Sequence, residues 1–401
     1  MVECRDPIVT HGERPLPRPT RPRGIVRHGK LFAPALALAA CHHGPTAGSP
    51  RDGQPSHTGV QASPPQDEPS DAGPTVPDAA SLDAGSAQDP RLFALVDQVS
   101  AQVSQLRGLS VDRPIARGVM NRTEILTRLH ERVTHEYPPG EVTLEGEMLR
   151  RLGLIPEDLD YEQTVFSLLE EQVAGFYDPD EQRLYIAAWV PRLMQSATMA
   201  HEITHALQDQ HFDLSRFTHH VRGRGDAQTA AMAVVEGDAT VAMLEFALAP
   251  LGQSVRSLPD PDAMFRSELL EVAGQPRMAA APRALRETLI FPYRYGFGLC
   301  TRLYSQRGFT AVDELLRTPP ASTEQVLHAD KLAAREAPIE IPAALPGPLA
   351  ADYVLVSDDV LGEFGARLFL ERGSDDATAE RGAAGWGGDR AVLLHADQVA
   401  R

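Results

Sequence analysis

Apolar residues recur at helical spacing along much of the chain. From 191 to 210, Leu193, Ala197, Ala200 and Leu207 fall on one face, which predicts a helix with a core-facing stripe. The same spacing predicts further helices over 92–106, 122–134, 145–154, 161–171, 227–248, 285–289 with a continuation over 295–307, and 323–327. The chain is therefore expected to be rich in helix.

Two short runs rich in aromatic and aliphatic residues come directly before the 191–210 helix. Residues 175–177 and 183–190 are separated by a Pro/Asp turn, which predicts a hairpin of two strands. Residues 111–122 predict one further strand. Together with the helices, this small sheet indicates an α-rich α+β fold.

The N-terminal 40 residues have the composition of a targeting signal. A basic stretch leads into the apolar run 31–39, which is too short to span a bilayer, and the run overlaps Leu38-Ala39-Ala40-Cys41. This pattern resembles the signal and lipobox of bacterial lipoproteins, which implies cleavage before Cys41 and lipidation of its thiol. A translation start nearer Val26 would give this signal a more usual length.

The amino-acid composition changes at Cys41 and again at about residue 90. Residues 41–90 are dominated by Pro, Ser, Ala, Gly and Asp, and they cannot bury enough apolar surface to fold, so we expect a flexible tether. Residues 91–401 have a globular composition and are long enough for a sizeable core, so we expect one domain with two lobes.

The net charge and the cysteine content argue against nucleic-acid partners, anionic membrane surfaces and disulfide bonds. The chain has 38 Lys and Arg against 55 Asp and Glu, a formal net charge of −17, so nucleic acid and anionic lipid surfaces are poor partners. With Cys4 removed and Cys41 lipidated, Cys300 would be the remaining cysteine, and no intramolecular disulfide is expected. Cys300 lies in an apolar region and is predicted to be buried.

The predicted 191–210 helix carries His201-Glu202-Ile203-Thr204-His205. On a helix, the spacing i and i+4 puts both imidazoles on one face, with the carboxylate of Glu202 beside them. This HExxH pattern is typical of zinc hydrolases.

A third ligand is expected from Glu236, which lies within the almost wholly apolar stretch 230–243. A carboxylate in a buried helix costs several kcal/mol unless it is paired, neutralised or bound to a metal. Zinc held by His201, His205 and Glu236 would keep a fourth position for water, with Glu202 as general base. Gly237 would let this helix approach the HExxH helix closely.

His211 is an alternative third ligand. It follows His205 by six residues, which is the spacing of the metzincin pattern HExxHxxGxxH. Metzincins have glycine where the helix turns, whereas this chain has Gln208 there. The missing glycine therefore favours Glu236, and His211 is expected at the helix end or behind the ligands.

Residues 201–209 resemble the active-site helix of thermolysin-like gluzincins, which take a Glu from a following helix as third ligand. The resemblance implies a zincin-like catalytic domain, with a small sheet before the HExxH helix and a mainly helical second lobe. Thermolysin has Asp four residues after that Glu, whereas this chain has Thr240. Asp238, Asp209 and Thr240 remain open as the partner of a ligand imidazole.

Further blocks resemble a group of largely uncharacterised bacterial HExxH proteins, many of them lipoproteins; these blocks are 174–179, 291–293, 319–328 and 385–390. The resemblance implies a zinc peptidase without indicating its substrate. In gluzincins the edge strand ahead of the HExxH helix pairs with an extended peptide, so the 175–190 hairpin is implied as the peptide-binding element.

Gluzincins also use a His or a Tyr to stabilise the oxyanion. The resemblance makes His328, Tyr293 and Tyr295 candidates for that hydrogen bond. Ser322 and Glu324, which precede His328, need no catalytic role, because their pattern is typical of a helix N-cap followed by an acidic first turn.

These observations predict a zinc-dependent endopeptidase of the bacterial cell envelope that acts on a peptide or protein. The catalytic core is expected over about 160–330, and the membrane is reached through the lipid anchor at Cys41. The alternative is a catalytically idle zinc- or peptide-binding lipoprotein that serves as an envelope scaffold. Glu202 favours the enzyme, because a purely structural metal site needs no general base.

Overall fold

The computed structural model describes residues 90–136, 140–190, 192–218, 221–344, 347 and 353–396. The helices in these ranges are α1 (Pro90–Arg107), α2 (Arg122–Glu136), α3 (Glu141–Arg151), α4 (Tyr161–Gln172), α5 (Arg192–Phe212), α6 (Ser215–Thr218), α7 (Gly225–Leu248), α8 (Pro261–Ala273), α9 (Pro276–Ala280), α10 (Arg283–Arg307), α11 (Phe309–Arg317), α12 (Thr323–Leu327), α13 (Ala329–Ala334), α14 (Gly362–Leu370) and α15 (Asp376–Ala383). The strands are β1 (Ala116–Met120), β2 (Gly175–Asp178), β3 (Arg183–Ala187), β4 (Tyr353–Asp359) and β5 (Ala391–Ala396).

The strands form two small sheets. In the first, the order is β1-β3-β2, with β1 parallel and β2 antiparallel to β3. In the second, β4 pairs with β5 in antiparallel orientation. The predicted α-rich α+β class is confirmed, as are the hairpin before the HExxH helix and a strand within 111–122.

The core is built around α7, which packs against α1, α5 and α10. Its sequence is apolar all round, and its central residues from Ala230 to Met243 are buried. A helix that is hydrophobic on every side needs neighbours on every side. The helix carrying Glu236 is thus held against the HExxH helix α5 on one side and against α10 on another.

The close approach at Gly237 is to α10 and not, as predicted, to the HExxH helix. A Cβ on Gly237 would collide with the carbonyl oxygen of Gly296, and a Cβ on Gly296 would collide with that of Ala233. Both positions need glycine because backbone meets backbone at this helix crossing.

Helix α10 is continuous, whereas the sequence predicted an interruption before Tyr295. Pro292 lies inside it and removes one backbone donor. Phe291 and Tyr293 on either side are almost fully buried, so packing holds the helix together through the proline. Cys300, on the same helix, is a buried free thiol as predicted.

The expected signal, the lipidation site at Cys41 and most of the tether lie outside the described residues. Within the described ranges, no helix is both long and apolar enough to cross a membrane.

Candidate metal centre

Helices α5 and α7 bring His201, His205 and Glu236 together. The distance is 3.1 Å from His201 Nε2 to Glu236 Oε2, 3.1 Å between the two Nε2 atoms, and 3.5 Å from His205 Nε2 to Glu236 Oε2. All three side chains are buried. The structure therefore presents a small triangle of two nitrogens and one oxygen inside the protein.

This triangle is of a size that could hold a zinc ion. Ligand atoms at about 2.0–2.1 Å from a tetrahedral zinc lie roughly 3.3 Å from one another. Two imidazoles and one carboxylate are also a donor set found in catalytic zinc sites. The residues therefore fit the ion in both spacing and chemistry.

Electrostatics in the triangle also favour a bound cation. Burial alone would raise the pKa of Glu236, but the charge of His205 and hydrogen bonds from both histidines outweigh it and hold the pKa at about 2. Burial opposes charge on His205, yet Glu236 raises the pKa of that imidazole to about 9. The carboxylate thus stays ionised and attracts positive charge, a proton or a metal ion, to the space between the side chains.

Glu202 lies beside the triangle and is oriented by the sheet. Its Oε2 accepts a hydrogen bond of 2.8 Å from the backbone N–H of Tyr177 on β2. Its Oε1 is buried and has no hydrogen-bond partner among the described residues. Burial raises the pKa of Glu202, partly offset by the two histidines. Oε1 is therefore an unused and relatively basic oxygen at the site.

Gln208 holds His205, an interaction that the sequence reasoning missed. His205 Nδ1 lies 2.8 Å from Gln208 Oε1, and Gln208 Nε2 donates to Val235 O and to Asp238 Oδ2. Asp238 is in turn paired with the buried Arg107 of α1 at 2.7 Å. The spacing i, i+3 from His205 to Gln208 was the available signal, because it puts both side chains on one helix face.

The three residues left open as imidazole partners have other roles. Asp209 accepts hydrogen bonds from the Tyr177 hydroxyl and the Leu214 N–H. Thr240 donates to the carbonyl oxygen of Glu236. Asp238 reaches His205 only through Gln208.

His211 lies away from the triangle. Helix α5 continues to Phe212 without the metzincin turn, so His211 stays at the helix end on another face. Its Nε2 lies 2.8 Å from the carbonyl oxygen of Ser110 and 3.8 Å from a carboxylate oxygen of Asp112. This placement corresponds to the helix-end position expected for it.

The structure separates the candidate oxyanion-stabilising residues. The ring of buried Tyr293 is 6.4 Å from that of His201, centroid to centroid. The hydroxyl of Tyr295 instead accepts a hydrogen bond from Arg367, and His328 Nε2 lies 2.7 Å from Glu363 Oε1. Tyr293 is therefore the candidate whose ring lies near His201, and the roles of Tyr293 and His328 stay predictions.

Comparisons of the chain with protein-family models, with curated proteins and with solved structures found no match. The family resemblances drawn from the sequence therefore stay predictions.

Proposed function

We propose that the protein is a zinc-dependent endopeptidase with a gluzincin-type site in a zincin-like domain. The observation that carries the proposal is the buried triangle of His201, His205 and Glu236, with the unpartnered oxygen of Glu202 beside it. A buried ionised Glu and two facing imidazoles are costly to assemble without a cation. An adjacent base is what distinguishes a hydrolytic metal site from a structural one.

Each side chain has a definite task in this proposal. Zinc, when bound by His201, His205 and Glu236, polarises a carbonyl group and makes water more acidic. Glu202 Oε1 accepts the proton of the attacking water and delivers it to the leaving amine nitrogen. The Tyr177 N–H holds Glu202 Oε2, which leaves Oε1 without a hydrogen-bond partner among the described residues and available to take a proton. The phenol of Tyr293 is our first candidate for a hydrogen bond to the developing oxyanion, with His328 second.

The proposed substrate is an extended peptide. Strand β2 lies at the edge of the first sheet, and Tyr177 on this strand contacts Glu202. A peptide that adds to β2 as a further strand would run beside the general base. Because the Tyr177 N–H is bonded to Glu202, the main-chain hydrogen bonds that supply affinity would come from the other backbone groups of β2.

We further propose that the protein works in the cell envelope, attached to a membrane by lipid on Cys41. The support is the basic, apolar and lipobox sequence of residues 21–41. The Pro- and Ser-rich stretch over 41–90 would let the catalytic domain reach substrates around its anchor.

The test is hydrolysis of a fluorogenic library of unstructured peptides by the zinc-loaded protein, compared with Glu202→Gln. We expect the variant to keep its zinc and to lose activity by about 100- to 10,000-fold, the usual contribution of a general base. A zinc-loaded wild type that cleaves no member of the library would instead favour the idle envelope scaffold.

A further inference from the structure

We propose that Gln208 is a positioning residue that fixes the tautomer of His205, and that Arg107 on α1 anchors it through Asp238. The inference rests on the proposed zinc site. It gives helix α1 a role in metal binding through Arg107, which bonds to Asp238 and Asp313 and to none of the three proposed ligands.

The polarity of the Gln208 amide is set by its surroundings. Its Nε2 lies 3.0 Å from the carbonyl oxygen of Val235 and 2.8 Å from Asp238 Oδ2. A backbone carbonyl can only accept a hydrogen bond, so the NH2 end of the amide must face Val235. The oxygen end is left facing His205 Nδ1 at 2.8 Å.

An amide oxygen opposite Nδ1 requires a proton on that nitrogen. His205 Nδ1 therefore donates, and Nε2 is the nitrogen that faces His201 and Glu236. When a metal ion replaces the proton on Nε2, a ring that keeps its proton on Nδ1 can offer the Nε2 lone pair to that metal. The opposite tautomer would point an N–H into the triangle.

Arg107 makes this arrangement rigid. Its Nε donates to both oxygens of Asp238, at 2.7 and 3.0 Å, and its Nη2 donates to Asp313 at 2.6 Å. Arg107, Asp238 and Gln208 are all about 1% exposed or less. Arginine has donors only, so Asp238 must accept from it and presents an acceptor to Gln208 as well.

The first variant is Gln208→Met, which keeps the length of the side chain and removes both ends of the amide. Zinc affinity, measured by competition with a chelator, should fall by about 10- to 100-fold, as is usual when the partner of a metal-bound His is lost. Gln210→Met is the matched control: it removes an amide two residues along α5 that bonds to the backbone of Asp112 and Arg113. Its zinc affinity should equal that of the wild type.

The second variant is Asp238→Asn, which does not touch His205. Either orientation of the new amide sets a donor against a donor of Arg107 or of Gln208. If the chain of hydrogen bonds fixes the tautomer, this variant should also lose about 10- to 100-fold in zinc affinity. Thermal melting without zinc shows whether each variant folds.

A measurement on the wild type tests the inference independently of any variant. In the zinc-loaded protein, ¹⁵N NMR of the histidines should show the His205 proton on Nδ1, protected from exchange. A proton on Nε2 would overturn the inference, as would folded Gln208→Met and Asp238→Asn variants with wild-type zinc affinity. These outcomes leave the proposed enzyme intact, whereas a wild type that binds no zinc overturns both.

Discussion

Two buried carboxyl groups on α7 have pKa values shifted in opposite directions, although burial raises both. For Glu236 the cost of burial is outweighed by His205 and His201, which hold its pKa at about 2. For Asp226, at the start of the helix, burial prevails and raises the pKa to about 7, although the N–H and hydroxyl of Thr323 both donate to it. Burial alone thus favours the neutral form of Asp226, whereas the facing histidines favour the ionised form of Glu236.

The protein should lose stability as Asp226 ionises. Its folded pKa of about 7 lies above the ordinary value of 3.8, so its contribution is complete below pH 4 and is lost as the pH rises through 7. Asp226→Asn removes this dependence. Relative to wild type, its free energy of unfolding should rise between about pH 4 and pH 8, with an upper limit of roughly 4 kcal/mol.

Urea unfolding at several pH values measures this difference. Asp262→Asn, which removes a partly exposed carboxylate paired with Arg266 on α8, is the control. An equal pH dependence in the two variants would contradict the assignment to Asp226.

For single residues, the sequence predicted the three proposed metal ligands but not the hydrogen bonds that position them. His201 and His205 were predictable from helical spacing, and Glu236 from the cost of a lone carboxylate in an apolar helix. Gln208 was not identified, because an amide carries no charge whose burial calls for a partner. Its role depends on Asp238 and Arg107, which lie far away in sequence.

Among the helices, the crossing of α7 and α10 fixes the position of Glu236. Gly237 and Gly296 allow the two backbones to touch one residue away from that carboxylate. Small displacements of α7 would open the triangle, because its ligand atoms come from two helices. The crossing therefore connects core packing to metal binding.

Gly296→Ala should destabilise the protein, because its Cβ would collide with the Ala233 carbonyl oxygen. Overpacking of this kind costs about 1–3 kcal/mol, seen as a lower melting temperature. Gly298→Ala on the same helix is the control. Its Cβ would meet only the end of the Asp262 side chain, so it should be neutral or gain up to about 1 kcal/mol of helix propensity. Equal melting temperatures would contradict this view of the crossing.

Local patterns predicted the long elements and missed others. Helices α1, α2, α4, α5 and α7 were expected within a few residues of their ends, because the first four carry a sustained apolar stripe and α7 a long apolar run. Strands β4 and β5 pair across more than thirty residues of sequence, so no hairpin signal exists between them. The interruption predicted between 289 and 295 was wrong, because the buried packing that maintains α10 through Pro292 is not visible locally.

For the whole molecule, we propose that a lipid anchor attaches this acidic protein to the membrane, and that its protein surface does not bind the membrane directly. Its net charge of −17 gives anionic bilayers no electrostatic attraction. One acyl chain gives only marginal binding, so stable attachment needs the several chains of a lipoprotein anchor. Sequence alone carries this proposal, because Cys41 lies outside the described residues.

Cys41→Ser should move the protein from the membrane fraction to the soluble fraction of the producing cell, because the thiol that carries the lipid is lost. Cys4→Ser, in the segment expected to be removed, should leave it with the membranes. Fractionation followed by immunoblotting measures both. Membrane attachment of the Cys41→Ser protein would contradict a lipid anchor at this residue.

Elemental analysis of the purified protein tests the zinc site most directly. About one zinc ion per chain is expected in the wild type, with loss in Glu236→Gln, which removes the ligand charge. Glu245→Gln changes another buried Glu of α7, one that accepts hydrogen bonds from Ser254 and Val255, and should keep the zinc, as should His211→Ala. A folded wild type without zinc, or zinc lost from His211→Ala and kept in Glu236→Gln, would contradict the proposed centre.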